Sequence, residues 1–491
     1  MLKRHFRTLN RFVPQGWRSI GVVMLLATAL YLFRLDARGL WIDEFLSIRD
    51  AQDVSFNRGR LLYYVLLEIW MTVGQSDVWL RSLAVLFALC AVALTYQLGR
   101  SLFTKRVGLI AALMLALSPL FINHAQEVRY YTMSVSLGIA GSLALAKSLN
   151  APNRPINYVL WVIFRVLAVL TTPLNAALLV SDGIIILVKY YRHPRRLVHF
   201  AIAGLILSIM TLPVALSVLD SAGAHRLDLP VPGLNNLVRE LRILTAFSYP
   251  PPPPYLTRLG HVYILTSLLV LGVVILRKRQ SKTFQWLVAW TVIPVGMIFI
   301  FSHLIFSIWN TRYVMLVLPY LLIMMAVGFL EIRSRWHRLA WAILLIYAIT
   351  VGSGLGVYYT RSSRYMGASD HYRATVEILN QNNRPDDVIV WAIMHNTPIP
   401  IQHYYEGTAP VTLRRRIQIP SDNSTVGREN IEAWLSGLPS FSSRLWLVYG
   451  PRVVHDDELF YDVLTEEFMI EAHYTVEDFN IFLLTSTEPR T

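Results

Sequence analysis

The stretch LLYYVLLEIWMTVG, residues 61–74, decides how the chain is laid out. As a helix it spans only about 21 Å at about 1.5 Å per residue, well short of the ~30 Å hydrocarbon core. Glu68 also interrupts it. Whether it crosses a membrane sets the side of every later loop. Suppose it does not cross. The longer apolar runs at 18–34, 79–99, 107–123, 131–147, 156–172, 174–190, 198–219, 261–277, 284–306, 313–331 and 339–359 then read as eleven spans. The N-terminus (Lys3, Arg4, Arg7, Arg11) shares one side with loops 100–106, 147–155, 191–197, 277–283 and 332–338. Those loops hold Arg100, Lys105, Arg106, Lys147, Arg154, Arg192, Arg195, Arg196, Arg277, Lys278, Arg279, Lys282, Arg333, Arg335 and Arg338. The short loops opposite, at 124–130, 173 and 307–312, carry only Arg129 and Arg312. This is a positive-inside pattern. If 61–74 crossed, the pattern would invert, so this stretch reads as a helix lying in the outer interface.

Composition supports the same class. The chain has 491 residues, 54% of them hydrophobic and 15% charged, where soluble domains carry about a quarter charged. The expected fold is a polytopic α-helical membrane protein of about 11 transmembrane helices. Its net charge of +14 reports orientation in a lipid bilayer and gives no reason to expect nucleic acid. The single cysteine, Cys90, excludes an intrachain disulfide. No small-residue cleavage site follows the first apolar run, which reads as an uncleaved anchor. Residues 1–359 form the membrane domain, with a large first external loop at 35–78. A second external loop, 220–260, contains the proline run at 249–255, expected to be extended. At residues 360–491 the acids return and short β-rich runs alternate with helix-like stretches, as in a small extracytoplasmic α/β domain. This layout puts the N-terminus in the cytoplasm of a multi-pass cell-membrane protein.

Topology then sorts the isolated charges. Asp43 and Glu44 lie in the first external loop, wedged between Trp41, Ile42, Phe45 and Leu46 with no cation within three residues. Glu127 and Arg129 fall in the second external loop, and Arg312, beside Trp309 and Tyr313, in a later one. Ionised groups at a membrane surface are costly unless paired or acting on a charged partner. Arginines there also snorkel, and acid–arginine pairs also pin loops together.

The order of segments then resembles a known family. The first span is followed by LWIDEFLS (40–47), LLYYVLLEIW (61–70), WLRSLAVLFAL (79–89), GRSLFTKRVGLIAAL (99–113) and LSPLFINHAQEVRYYTM (117–133). This is similar to the polyprenyl-phosphate-sugar-dependent membrane glycosyltransferases of GT-C fold, in particular the glycosyltransferase family 39 relatives of protein O-mannosyltransferases and the aminoarabinose transferases. The likeness is dense over 17–145, thin beyond, and returns at Arg312-Tyr313 followed by Pro319. It implies an extracytoplasmic catalytic cavity, a catalytic carboxylate at Asp43, a second acid at Glu127, a polyprenyl-phosphate-linked sugar donor and inversion at the anomeric carbon. Two features depart from the family. GRLLYY (59–64) lacks the usual Pro-Pro, and TTPLN (171–175) stands where many relatives have Thr-His-Tyr, which puts a histidine-dependent contact there in doubt.

The residue types suit that chemistry. A carboxylate in an apolar setting makes a better base, so Asp43 would take the proton of a hydroxyl-bearing acceptor while Glu44 orients it or the acceptor. The leaving phosphate needs charge compensation rather than a general acid. Arg312 is the first candidate, as a guanidinium grips phosphate bidentately; Arg58, Arg60 and Arg129 are others. Trp41, Tyr63, Tyr64, Trp70 and Tyr313 would cradle the lipid or substrate, or form an interfacial aromatic belt. A divalent metal is a candidate cofactor, with Glu127 or His124 as ligands, although no two-histidine spacing supports one. The sugar and the acceptor (lipid, glycan or protein) stay open. The alternative reading is a transporter or flippase of lipid-linked sugars. It would use ionisable residues deep in the bundle, for which Arg165 and Asp182 qualify unless they pair with each other.

Overall fold

The computed structural model describes the chain apart from residues 1–14, 55–58, 222–228, 248–253, 361–370, 394–396, 418–426, 442, 451–452, 455 and 487–491. The expected proline-run conformation and the candidate Arg58 therefore fall outside or largely outside the described residues. In chain order the first helices are α1 (Gln15–Leu32), α2 (Ile42–Gln52), α3 (Leu61–Met71), α4 (Asp77–Leu102), α5 (Lys105–Ala116), α6 (Pro119–Ala125), α7 (Tyr131–Asn150) and α8 (Pro155–Thr171). They continue as α9 (Ala176–Tyr190), α10 (Pro194–Ser221), α11 (Leu234–Thr245), α12 (Pro254–Lys278), α13 (Lys282–Leu304), α14 (Leu318–Arg333) and α15 (His337–Thr360). The chain divides into two compact units: Met1–Leu35 with Asp50–Arg361, and Asp36–Arg49 with Ser362–Thr491.

The first unit is a helical membrane bundle. Eight helical stretches among the described residues are long and apolar enough to cross a bilayer, and the bent pair α5–α6 makes a ninth when counted as one. A total of eleven also needs the shorter apolar helices Ser19–Leu32 and Pro155–Thr171 to cross. The pivotal stretch 61–74 forms the 11-residue helix α3. Where the sequence reads as one straight span at 107–123, the helix instead bends by 65°. Ser118 caps the new helix by accepting from the Phe121 N–H (3.3 Å), and Pro119 occupies its first position. Proline has no N–H for the preceding helix and is pre-set to begin another.

Helices α7 and α14 form the buried centre, apolar on nearly every face. Helices α10, α13 and α15 turn much of their apolar surface outward, including Leu205, Ile300 and Leu345. Arg165 of α8 and Asp182 of α9 are both fully buried and form a two-pronged pair, Nε–Oδ2 2.7 Å and Nη2–Oδ1 2.9 Å. The guanidinium also donates to the Gly138 carbonyl (2.7 Å) and Ser142 Oγ (2.8 Å), while Trp161 and Trp290 donate their indole N–H groups to the carboxylate (2.7 and 2.8 Å). Gly141 makes room, since a Cβ there would lie 2.8 Å from the guanidinium. The two intramembrane charges thus pair with each other.

The second unit holds α16 (Tyr372–Asn382), β1 (Val388–Ala392), α17 (Ile399–Tyr404), β2 (Val411–Arg414), α18 (Arg428–Ser436), β3 (Arg444–Tyr449), α19 (Asp457–Glu467), β4 (Phe468–Val476) and β5 (Phe479–Ser486). Its five-stranded sheet has the order β2-β1-β3-β5-β4. The β1 strand runs parallel to β2 and β3, whereas β5 is antiparallel to β3 and β4. One face packs Val390, Leu445 and Leu447 against Trp434 of α18 and Phe460 of α19. The small α/β domain read from the sequence is present.

At the entry to β1, Asp387 accepts from Arg444 Nε (2.9 Å) and Nη2 (2.7 Å), from the Trp446 indole (2.9 Å) and from the Arg384 N–H (2.8 Å). Burial pushes its carboxyl up, but these hydrogen bonds outweigh burial and hold it below its ordinary value. The stability it contributes is full above the unfolded-state value, about pH 4, and is lost as pH falls through the lower folded value. The melting-temperature difference between wild type and Asp387→Asn should hold from neutral pH to about pH 5 and close in stronger acid. A gap that persists undiminished at about pH 2 would show that ionisation of Asp387 is not what stabilises this unit.

Candidate active site

The acid pair opens helix α2. Trp41 serves as its N-cap: the Glu44 and Phe45 N–H groups bond to the Trp41 carbonyl (2.9 and 3.2 Å). Glu44 Oε2 reaches back to accept from the Trp41 N–H (3.1 Å), one half of a capping box. Both acids sit in the first turn, where the helix dipole favours negative charge. Their surroundings differ. Glu44 is fully buried, whereas Asp43 is only partly buried.

The apolar residues around the pair have partners within the second unit. Phe45 meets Tyr372, His403 and Tyr404 edge-on, with ring centroids 5.6, 5.7 and 5.9 Å away. The Leu40 N–H donates to the Tyr404 hydroxyl (2.8 Å), and Arg373 donates to the Asp36 side chain and carbonyl (both 2.7 Å). Trp41 is buried. The segment Asp36–Arg49 is thus stitched to α16 and α17.

A second group of candidates gathers in the first unit. The turn after α6 brings Glu127 inward, fully buried. Its Oε1 accepts from Asn123 Nδ2 (3.1 Å), and its Oε2 lies 2.8 Å from His124 Nδ1. The His124 ring stands edge-on to Tyr131 (4.8 Å), and its buried Nε2 has no hydrogen-bond partner among the described residues. Among those residues no three metal-ligating side chains come together. Glu127 and His124 hydrogen-bond each other, and the pair as built lacks the ligand set of a structural zinc centre.

Beside this dyad, three guanidinium groups surround two tyrosines. Arg60 lies over the Tyr130 ring (4.6 Å); Arg129 faces the rings of Tyr130 and Tyr131 (5.5 and 5.6 Å). Arg312 donates to the Tyr131 hydroxyl (3.3 Å) and lies 5.8 Å from the Tyr313 ring centre. Tyr63 and Tyr64 are buried at 1% and 2% exposure and pack against this group, Tyr63 at 6.3 Å from Tyr130, so protein rather than bilayer surrounds their rings. Trp70 stacks on Trp79 (4.7 Å). A small cleft is lined by Tyr130, Tyr131, Ser134, Thr172, Arg312 and Tyr313. The divergent TTPLN segment therefore contributes to the cleft through Thr172 and Leu174. Its Asn175 is buried and donates to Ser134 Oγ (2.9 Å).

Two charged residues were missed by sequence reasoning. Arg81, fully buried on α4, donates to the Leu35 carbonyl (2.8 Å). Glu240 of α11 is buried with Arg239 at 3.6 Å, and burial pushes its carboxyl up. In the sequence Glu240 sits at the edge of the apolar stripe of the amphipathic stretch 234–245, a position that gives no sign of burial.

Comparison with solved structures places the chain in a fold class. ArnT from Cupriavidus metallidurans bound to undecaprenyl phosphate is 13% identical, with a TM-score of 0.57, covering 96% of this chain and 98% of that one. The oligosaccharyltransferase AglB from Archaeoglobus fulgidus, in complex with an inhibitory peptide and a dolichol-phosphate, is 12% identical with a TM-score of 0.56, covering 97% and 74%. The mycobacterial arabinofuranosyltransferase AftD is 15% identical with a TM-score of 0.51, covering 94% and 41%. No protein-family model matches the chain, and no curated protein matches it. The likeness runs along nearly the whole chain, and the fold is that of the GT-C membrane glycosyltransferases.

Proposed function

We propose that this chain is an integral membrane glycosyltransferase that moves a sugar from a polyprenyl-phosphate donor to a hydroxyl acceptor on the extracytoplasmic face. The observation that carries this reading is the set of three guanidiniums, Arg60, Arg129 and Arg312, around Tyr130 and Tyr131, in a fold whose solved examples include proteins holding polyprenyl phosphates. A planar, permanently charged fork suits a phosphate ester. The N-terminus is cytoplasmic in this reading, and residues 360–491 form the extracytoplasmic domain.

In the proposed step, Asp43 takes the proton of the acceptor hydroxyl and the acceptor oxygen bonds to the anomeric carbon. The bond from that carbon to the phosphate oxygen breaks with its electron pair, releasing polyprenyl monophosphate. The arginines, led by Arg312 and with Arg58 as a further candidate, offset the growing charge. Glu127 holds His124 beside the arginine cluster, edge-on to Tyr131. Tyr63, Tyr64 and Tyr313 supply an aromatic wall beside the arginines, and Trp41 is the apolar neighbour of the acid pair.

The test is transfer in proteoliposomes from a synthetic polyprenyl-phosphate sugar, read as released polyprenyl phosphate. Arg312→Lys keeps the charge but loses the fork, and is expected to slow transfer about tenfold. Absence of release from any polyprenyl-phosphate sugar, with acceptor extracts present, would remove the reading.

A further inference from the structure

Away from the arginine cluster, the first unit contains a larger cavity of about 540 Å³ between α5, α12, α14 and α15. Its walls are mainly hydrocarbon, with Leu113, Val270, Phe329 and Leu344 from the four helices, and carry the hydroxyls of Thr266 and Ser267. Its mouth is polar and basic: Arg333 ends α14 and His337 begins α15, both exposed. Arg335 and Arg338 flank them. The nearest acid, Glu331, is engaged by Lys278 (2.8 Å).

At the inner end Tyr347 lies 6.3 Å from Tyr263, and its buried hydroxyl has no hydrogen-bond partner among the described residues. Ten residues of α15 separate His337 from Tyr347, a rise of about 15 Å. That is about half of the ~30 Å hydrocarbon core, so the slot is one leaflet deep.

We propose that this slot holds an acyl chain of an anionic phospholipid from the leaflet facing the basic loops, with its phosphate at Arg333 and His337. Most of the lining is apolar, so an empty slot forfeits packing along it. The guanidinium at the mouth selects a phosphate-bearing headgroup of net negative charge over a zwitterionic one. The depth selects a chain of leaflet length over a long isoprenoid, which would have to run past Tyr263 and Tyr347. This site is separate from the arginine cluster and does not depend on the transferase reading.

The test uses the full chain in phosphatidylcholine nanodiscs with trace photoactivatable phosphatidylglycerol, its diazirine in the acyl chain. Crosslinks should map to peptides containing Leu113, Phe329 and Leu344, and unlabelled phosphatidylglycerol should displace them. Labelling should fall about fivefold in Arg333→Gln, the effect of one basic residue at an anionic headgroup. Equal labelling by the phosphatidylcholine probe, or an unchanged yield in Arg333→Gln, would overturn the proposal. So would displacement by undecaprenyl phosphate but not by phosphatidylglycerol, which would give the slot to the isoprenoid.

Discussion

Asp43→Asn is expected to slow sugar transfer by about 10²–10⁴-fold, the usual contribution of a positioned general base. Stability should change little. Asp43 is a partly buried first-turn residue, where the helix dipole favours its charge by about 0.3–1 kcal/mol. Polyprenyl-phosphate binding should persist, because the proposed phosphate ligands are the arginines. Glu44 supplies the control. Its Oε2 caps the Trp41 N–H, and a glutamine carbonyl can do the same. Glu44→Gln should therefore keep the fold, and its residual transfer shows whether this acid does more than cap α2. Wild-type transfer by Asp43→Asn in an assay that detects release of polyprenyl phosphate would end the proposed mechanism.

The second large effect falls on stability. Arg165→Met leaves the Asp182 carboxylate fully buried with two indole donors among the described residues, and removal of one partner from such a pair costs about 3–5 kcal/mol. Asp182→Ala is the mirror experiment and strands the guanidinium. Detergent-solubilised protein should show a clear fall in melting temperature for each single variant. The double variant should be less damaged than the sum of the two, because no uncompensated charge is left. The result also bears on function. A transporter that used these charges to carry protons or ions would lose transport in Asp182→Asn at unchanged stability. The pair's saturated hydrogen bonds instead predict a stability defect. An Asp182→Asn protein as stable as wild type would contradict the structural role.

Several candidate residues were legible because their signals are local. Asp43, Glu44, Glu127, Arg129 and Arg312 stood out as charges among aromatics next to apolar runs, and Arg60, Arg129 and Arg312 do gather around one tyrosine pair. Glu240 and Arg81 were not legible. A single charge in an amphipathic or apolar run looks the same whether it faces water or a buried neighbour. The capping role of Glu44 was hidden for a different reason: it depends on where α2 begins, and helix ends are set by backbone geometry as well as residue type. The bend at Ser118-Pro119 had a visible cause, but hydropathy averages over a window and passes smoothly across it.

The sequence by itself determined the membrane character, the positions of the apolar helices and the composition shift toward an α/β domain. Each depends on a segment's own length, hydropathy or period-two pattern, properties a segment carries wherever it sits. Only the tertiary structure decided that Asp36–Arg49 packs with helices more than 300 residues later, through Phe45 on Tyr372 and Tyr404. It also decided that Tyr63 and Tyr64 are enclosed by protein, and which cations share Tyr130 and Tyr131. Those outcomes are choices among distant side chains competing for the same space, and the local chemistry of a segment does not record which partner wins.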